Sequence, residues 1–216
     1  MNRQCLLDES SEVALSPKCP SCHIGLISTP SGTSATNSLT PGRPRNPQIL
    51  TRYINEGGVQ ENLDILPLIT EEAYLEANPA ARPARAFMHM CSQGDVGGIS
   101  ELLQTVEEDH EDGEQDSMSP ADLLLYQDPL DEMKNALHLA IENSQQEVVW
   151  LLLWLASYVP DDKFPEEAIH VAESVNASRQ SAAYGVDIRS LRNTQGQTPR
   201  TVANAMGGTL ITLGHC

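Results

Sequence analysis

Between Asn135 and Leu155 the chain carries two short apolar faces back to back, separated by Asn143-Ser144-Gln145-Gln146. Leu137, Ala140 and Ile141 follow the i, i+3, i+4 spacing of one helix, and Val148, Val149, Leu152 and Leu155 follow it on a second. Each helix is too short to be stable alone in water, so packing must hold it. A helix pair of this size cannot bury its own apolar faces, and a stable protein needs roughly three stacked copies at a period near 33 residues. The feature therefore predicts its own recurrence.

Copies are found at that spacing. Ala168-Ile169-His170-Val171-Ala172 repeats Ala136-Leu137-His138-Leu139-Ala140 at an offset of 32, and Arg200 in Gly196-Gln197-Thr198-Pro199-Arg200-Thr201-Val202-Ala203 lies 31 after Ile169. Upstream, Phe87 to Leu103 holds a similar pair, with Gly94-Asp95 between its helices, 50 residues before Leu137. The excess of about 17 residues over one period marks an insertion. Within it, Glu107 to Asp116 has seven acidic residues in ten.

These segments resemble the ankyrin repeat, whose pattern runs T-P-L-H-L-A-A, then a G-H turn, then V-V-x-L-L-L. Leu137, His138, Leu139, Ala140, Val148, Val149, Leu151, Leu152 and Leu153 fall in register with it, while Ser144 stands at the turn glycine. The resemblance covers about residues 84–212 and implies an all-α, helix-turn-helix solenoid of three to four imperfect repeats. The copies fall at about 84–104, 135–157, 167–187 and 196–212, with an acidic insertion at 105–130. It implies that His138 and His170 are structural hydrogen-bonders to the adjoining turn, and that Thr198 and Pro199 open the last copy. Ligands of such arrays approach the turns before each first helix and the concave face, which here means Lys134, Asn135, Glu166, Glu167, Gln195, Gly196 and Gln197.

Composition agrees with a helical solenoid better than with a β sandwich, because 4% aromatic residues leave the core to Leu, Val, Ile and Ala. Charge is uneven. Residues 1–58 hold four acidic and five basic side chains, whereas 59–216 hold 26 acidic and eight basic ones. The second part should repel nucleic-acid phosphates and favour a basic protein partner. No apolar run reaches the roughly 18 residues of a membrane span. Five cysteines with no hydrophobic leader read as reduced thiols of an intracellular protein, cytoplasmic or nuclear.

Residues 1–46, rich in Ser, Thr, Pro and Gly around Ser28 to Thr36, read as a disordered tail. Residues 47–83 read as a helical lead-in that caps the open end of the first repeat. Asn46-Pro47 would start one helix ending before Gly57, and Thr70 would cap another running to about Ala77, before Pro79 and Pro83.

Several motifs invite chemistry. Cys19-Pro20-Ser21-Cys22-His23 matches C-x-x-C-H, but haem attachment needs an export context, and zinc needs about four ligands where only Cys5, Cys19, Cys22 and His23 are near. We read the cysteines as plain thiols, with no metal or cofactor. The acidic run fails as a calcium loop, because Ser119 falls where a bidentate Glu is required. It reads as a solvated loop whose Glu107, Glu108, Asp109, Glu111 and Asp112 could dock a basic segment. Trp150 and Trp154, four apart, share a helix face that points away from the repeat core. Either the insertion or the leading helices cover them, or they form a partner hot spot. Ser16-Pro17, Thr29-Pro30 and Thr40-Pro41 are candidate phosphorylation sites. No nucleophile elbow, P-loop or paired-carboxylate spacing supports an enzyme.

The expected function is thus non-enzymatic protein binding by an adaptor or regulatory subunit. The alternative is a metal-containing or phosphorylation-controlled regulator acting through the Cys-containing N-terminal segment.

Overall fold

The computed structural model describes residues 3–27, 47–55, 58–111, 118–157, 159–180 and 185–206. The Ser28 to Thr36 stretch, Thr40, Asn46, Gly57, Asp112 to Asp116 and residues 207–212 lie outside the described residues. Among those described the chain is mostly helical, with ten α-helices and two small two-stranded sheets. It forms two compact units, Met1–Pro79 and Ala80–Cys216.

The first unit corrects two expectations. Residues 3–27 are not a featureless tail. Helices α1 (Arg3–Asp8) and α2 (Ser10–Leu15) are followed by an antiparallel bridge between Lys18 and Gly25. Leu6 and Val13 are buried with Ile49, Ile65 and Ile69, so this segment draws its core partners from more than 30 residues downstream. The lead-in is not wholly helical either. Strands β1 (Leu50–Asn55) and β2 (Gly58–Asp64) form an antiparallel hairpin, with Tyr53 opposite Gln60 and Ile54 opposite Val59. Thr51, Tyr53 and Ile54 are β-branched or aromatic and favour a strand, and Gly58, paired with Asn55 at the end of the hairpin, takes φ 133°, which glycine tolerates. Helix α3 (Leu66–Ala77) begins four residues before Thr70. The Asp64 carboxylate fixes that start, accepting from the N–H groups of Ile49 (3.0 Å) and Leu66 (3.1 Å). Thr70 instead donates its hydroxyl back to the Leu66 carbonyl, 2.8 Å away, inside the helix.

The second unit opens with α4 (Arg82–Gln93), which holds Pro83 in its first turn and buries Ala84, Phe87, Met88 and Cys91 at the i, i+3, i+4, i+7 spacing of one face. Helix α5 (Val96–Glu111) follows the Gly94 cap and buries Ile99, Leu103 and Val106. Glu107 to Glu111 therefore extend a helix rather than forming a loop. Glutamate is a good helix former, and the apolar stripe ending at Val106 anchors the turns before it. Helix α6 (Pro120–Leu125) is opened by a capping box between Ser119 and Asp122. The two-residue strands β3 (Gln127–Asp128) and β4 (Lys134–Asn135) lead to α7 (Ala136–Glu142) and α8 (Gln146–Leu155). Helices α9 (Glu166–Ser174) and α10 (Pro199–Ala205) complete the unit.

Helix α4 packs on α7, and α7 packs on α10, while α8 packs on α7 and α9. Phe87, Leu137, Ile141, Val148, Leu151, Val171, Ile188 and Val202 belong to one buried cluster. The segment at 167–187 departs from the expected repeat. It supplies one helix, α9, beside α8, whereas the helix beside α7 is α10. Residues 175–180 and 185–195 carry no helix, and Asn176, at φ 49°, ends α9 with a left-handed turn.

The turns joining α4 to α5 and α7 to α8 share one backbone requirement. Gly94 has φ 82° and Ser144 has φ 59°. A left-handed residue with a Cβ costs about 1–2 kcal/mol, which glycine avoids. Ser144 is exposed. Ser144→Gly is expected to stabilise the chain by about 0.5–1 kcal/mol, read as a higher urea midpoint at unchanged slope. An unchanged midpoint would mean that the turn carries no such cost.

Candidate partner-binding surface

Helix α9 lies over the first turns of α8 and encloses a cleft of about 430 Å³ lined by Gly94, Gln145, Gln146, Glu147, Val148, Trp150, Glu167, His170 and Val171. Val148 and Val171 form its buried apolar wall, and the half-buried Trp150 lines it beside them. The Gln145 side chain donates to the Ser92 carbonyl (3.1 Å), joining this turn to the end of α4. A Cβ at Gly94 would come within 2.4 Å of the Gln145 amide oxygen, so glycine permits the close approach. Glu147 and Glu167 are exposed, and their side chains make no hydrogen bond or ion pair with another described residue. No lysine or arginine lines the cleft. Its chemistry is that of an aromatic wall with two uncompensated carboxylates, suited to a cationic side chain.

Of the residues singled out from the sequence, Trp150, Glu167 and His170 meet here. Glu147 and Gln145 join them because α9 folds back on α8. That return is set by tertiary packing, so no local spacing reveals it.

The expectation that His170 bonds an adjoining turn is not met: the residue is exposed and its ring makes no hydrogen bond among the described residues. The helix register explains the difference. His138 is the third residue of α7, within reach of its cap, whereas His170 is the fifth of α9, whose cap is Pro165. At His138, Asn135 Oδ1 accepts from the His138 N–H (3.0 Å) and the ring Nδ1 takes the Asn135 N–H (3.3 Å). The ring Nε2 lies 3.1 Å from the Gln197 carbonyl, to which it can donate only as Nε2–H, while Nδ1 also lies 2.6 Å from Asn135 Oδ1. Burial holds the His138 pKa below its ordinary value. On the next turn Thr198 caps α10, in which Pro199 is the first residue, with Thr201 completing the capping box.

The turn residues proposed as ligand contacts fare unequally. Asn135 is buried, donating its amide to the Ile188 carbonyl at 2.9 Å, and is closed to a ligand. Lys134 is half-buried between Glu142 (2.9 Å) and Asp131 (3.2 Å). Burial works against its charge, but these two carboxylates outweigh it and its pKa is raised. Gln195 and Gln197 are exposed, although Gln195 donates to Glu132 (2.9 Å). Glu166 is exposed in the first turn of α9. Glu107, Glu108 and Asp109 are exposed on the last turns of α5, and Asp112 is outside the described residues.

Among the described residues of the second unit, Trp154 is held by the chain that follows α8. Its indole N–H donates to Asp161 (2.9 Å), and the Arg179 guanidinium stacks 4.7 Å from its ring and 5.5 Å from that of Phe164. Arg179 also pairs with Asp161, and that guanidinium, followed by the indole N–H, holds the Asp161 carboxyl below the usual range. The returning chain after α8 thus claims Trp154 for structure and leaves Trp150 at the cleft. Among the described residues no helix is long and apolar enough to cross a membrane. Compared with known family models, curated proteins and solved structures, the chain gives no match.

Proposed function

We propose that the second unit is an ankyrin-type repeat array that works as a protein-binding module rather than an enzyme. Its partner would present a basic segment to the cleft between α8 and α9. The observation that carries this reading is the pair of uncompensated carboxylates, Glu147 and Glu167, beside the Trp150 indole. The excess of acidic over basic residues in 59–216 adds a long-range field of the same sign. The repeat reading draws support from the succession α4, α7, α10 and from the His138 ring, which joins the cap of α7 to the turn before α10. On this reading α9 is an irregular element inserted between the second and last copies, and α4 with α5 forms the first.

The test uses a fluorescein-labelled Lys/Arg-rich peptide, with a Glu-rich peptide of equal length as control. Each rim charge is worth up to about 1 kcal/mol, so Glu147→Gln with Glu167→Gln should weaken binding of the basic peptide about tenfold. Trp150→Ala should have a comparable effect, since aromatic anchors dominate such contacts. Neutralising Glu107, Glu108 and Asp109 together should change affinity by less than about twofold. If that triple change is the costly one, docking belongs to the end of α5. If the basic peptide binds no better than the acidic one, the reading fails.

A further inference from the structure

The first unit contains a tight turn that the binding reading leaves unused. Cys19 and Cys22 sit at its two ends, with Pro20 and Ser21 between them. The Cys19 N–H donates to the Ile24 carbonyl (2.8 Å), the His23 N–H to the Cys19 carbonyl (2.8 Å), and the Leu26 N–H to the Pro17 carbonyl (2.8 Å). His23 adopts φ 57°, and the Lys18–Gly25 bridge closes the turn from outside. The backbone therefore holds both thiols without help from other side chains. The N–H groups of Cys22 and Ser21 and the Cys22 thiol are directed at the Cys19 sulfur, an arrangement that suits a metal-bound thiolate.

We propose that Cys19 and Cys22 are half of a zinc site whose other two thiolates come from the same turn of a second copy of the chain.

Structural zinc sites are tetrahedral and closed by four ligands, with thiolates preferred by this ion. Among the described residues no group of three or more Cys, His, Asp or Glu could hold a metal, so the pair needs two ligands from outside the described residues of its own chain. It is also open on one side, with Cys19 6% exposed but Cys22 on the surface. Two further observations favour a second copy as the missing half. Leu15, Ile24 and Ile27, which flank the two cysteines in sequence, are 90%, 68% and 40% exposed and offer apolar side chains for a partner to cover. Residues 1–58 are also nearly neutral, with four acidic and five basic side chains, so two copies can meet there without the repulsion that the rest of the chain would impose. Binding replaces four S–H bonds by four Zn–S bonds, and the four protons pass to buffer with no change of oxidation state.

The test takes the full chain, reduced and stripped of metal, and titrates it with zinc chloride while molar mass is followed by light scattering and bound zinc by elemental analysis. The expected result is a zinc-dependent doubling of mass, about one zinc per two chains, and reversal by EDTA. Cys19→Ser and Cys22→Ser should each abolish both signals with the helical circular dichroism unchanged, whereas Cys5→Ser should leave them intact. Cobalt in place of zinc should give the visible bands of a tetrahedral thiolate site. The proposal is overturned if no zinc is retained, if one zinc binds per monomer, if Cys5→Ser abolishes binding, or if the dimer persists equally in EDTA.

Discussion

Arg85→Ala is expected to destabilise the second unit by about 3–5 kcal/mol, the usual cost of breaking a buried ion pair from one side. Arg85, on α4, pairs with Asp128 on β3, 43 positions along the chain. The Asp128 side chain is 1% exposed, so removing the guanidinium leaves its carboxylate in the interior. The same residue shapes the β3–β4 turn. Its Oδ1 accepts from the Leu130 N–H (2.9 Å), and its backbone carbonyl accepts from Asp131 (3.2 Å) and Met133 (2.8 Å). Glu132 and Met133 are left-handed in that turn, at φ 52° and 57°, and the carbonyl contacts help hold them there. For a unit of this size the loss corresponds to a fall in Tm of roughly 10–15 °C. The decisive control is Arg85→Ala with Asp128→Asn. An amide keeps a hydrogen-bonding oxygen for Leu130 but carries no buried charge, so the double variant should be more stable than Arg85→Ala alone. Thermal unfolding by circular dichroism reads both. A single variant within about 1 kcal/mol of the parent would show that solvent reaches Asp128 and that the pair is not a buried one.

This ion pair also marks the limit of what the amino-acid order reveals. Helices α7 and α8 are legible because every determinant lies within the segment: apolar residues at helical spacing, Asn135 before the first turn, and a polar break at Asn143 to Gln145. The opening of α10 is legible for the same reason, since Thr198 and Pro199 are adjacent. The hairpin at 50–64 was misread because Pro and Gly punctuation marks ends without stating what lies between them, and β-branched content decided for a strand. Helices α1 and α2 were missed because Leu6 and Val13 find their partners in Ile49, Ile65 and Ile69. The cleft was half legible. Trp150 and Glu167 stand out singly, but their juxtaposition depends on α9 packing over α8, and the matching of His170 to His138 by spacing obscured a two-residue difference in helix register. Cys19 and Cys22 were visible as a motif, whereas the hydrogen bonds that preorganise the turn were not.

His138→Ala should cost about 3 kcal/mol and should also flatten the pH dependence of stability. The fully buried ring takes the Asn135 N–H and reaches the Gln197 carbonyl, so its loss leaves a buried donor unsatisfied and opens a void at the junction of α7 with the turn before α10. The carbonyl of Gln197 keeps a second donor, the Asn193 N–H at 3.0 Å, which places more of the cost on the Asn135 side. Asn135 also ties Ile188 through its amide, so the two residues form one network. Asn135→Ala and His138→Ala together should then cost less than the sum of the single changes by about 0.5–3 kcal/mol. The pH effect has a definite sign. Burial lowers the pKa of His138 in the folded chain, so between that value and the ordinary one near 6.5 the unfolded state binds the extra proton. The contribution is complete above pH 6.5 and is lost as pH falls from there toward the folded value. Asp161 and Asp187, whose folded pKa values are also depressed, lose their contributions only at lower pH, in the carboxylate range. Chemical denaturation at a series of pH values between 5 and 8 separates these effects. The parent should lose stability below pH 6.5 and His138→Ala should lose less, the difference between the two curves belonging to this ring. Parallel curves would mean that the imidazole is protonated as readily in the folded chain as in the unfolded one, and that it does not act as a neutral buried link between the turns.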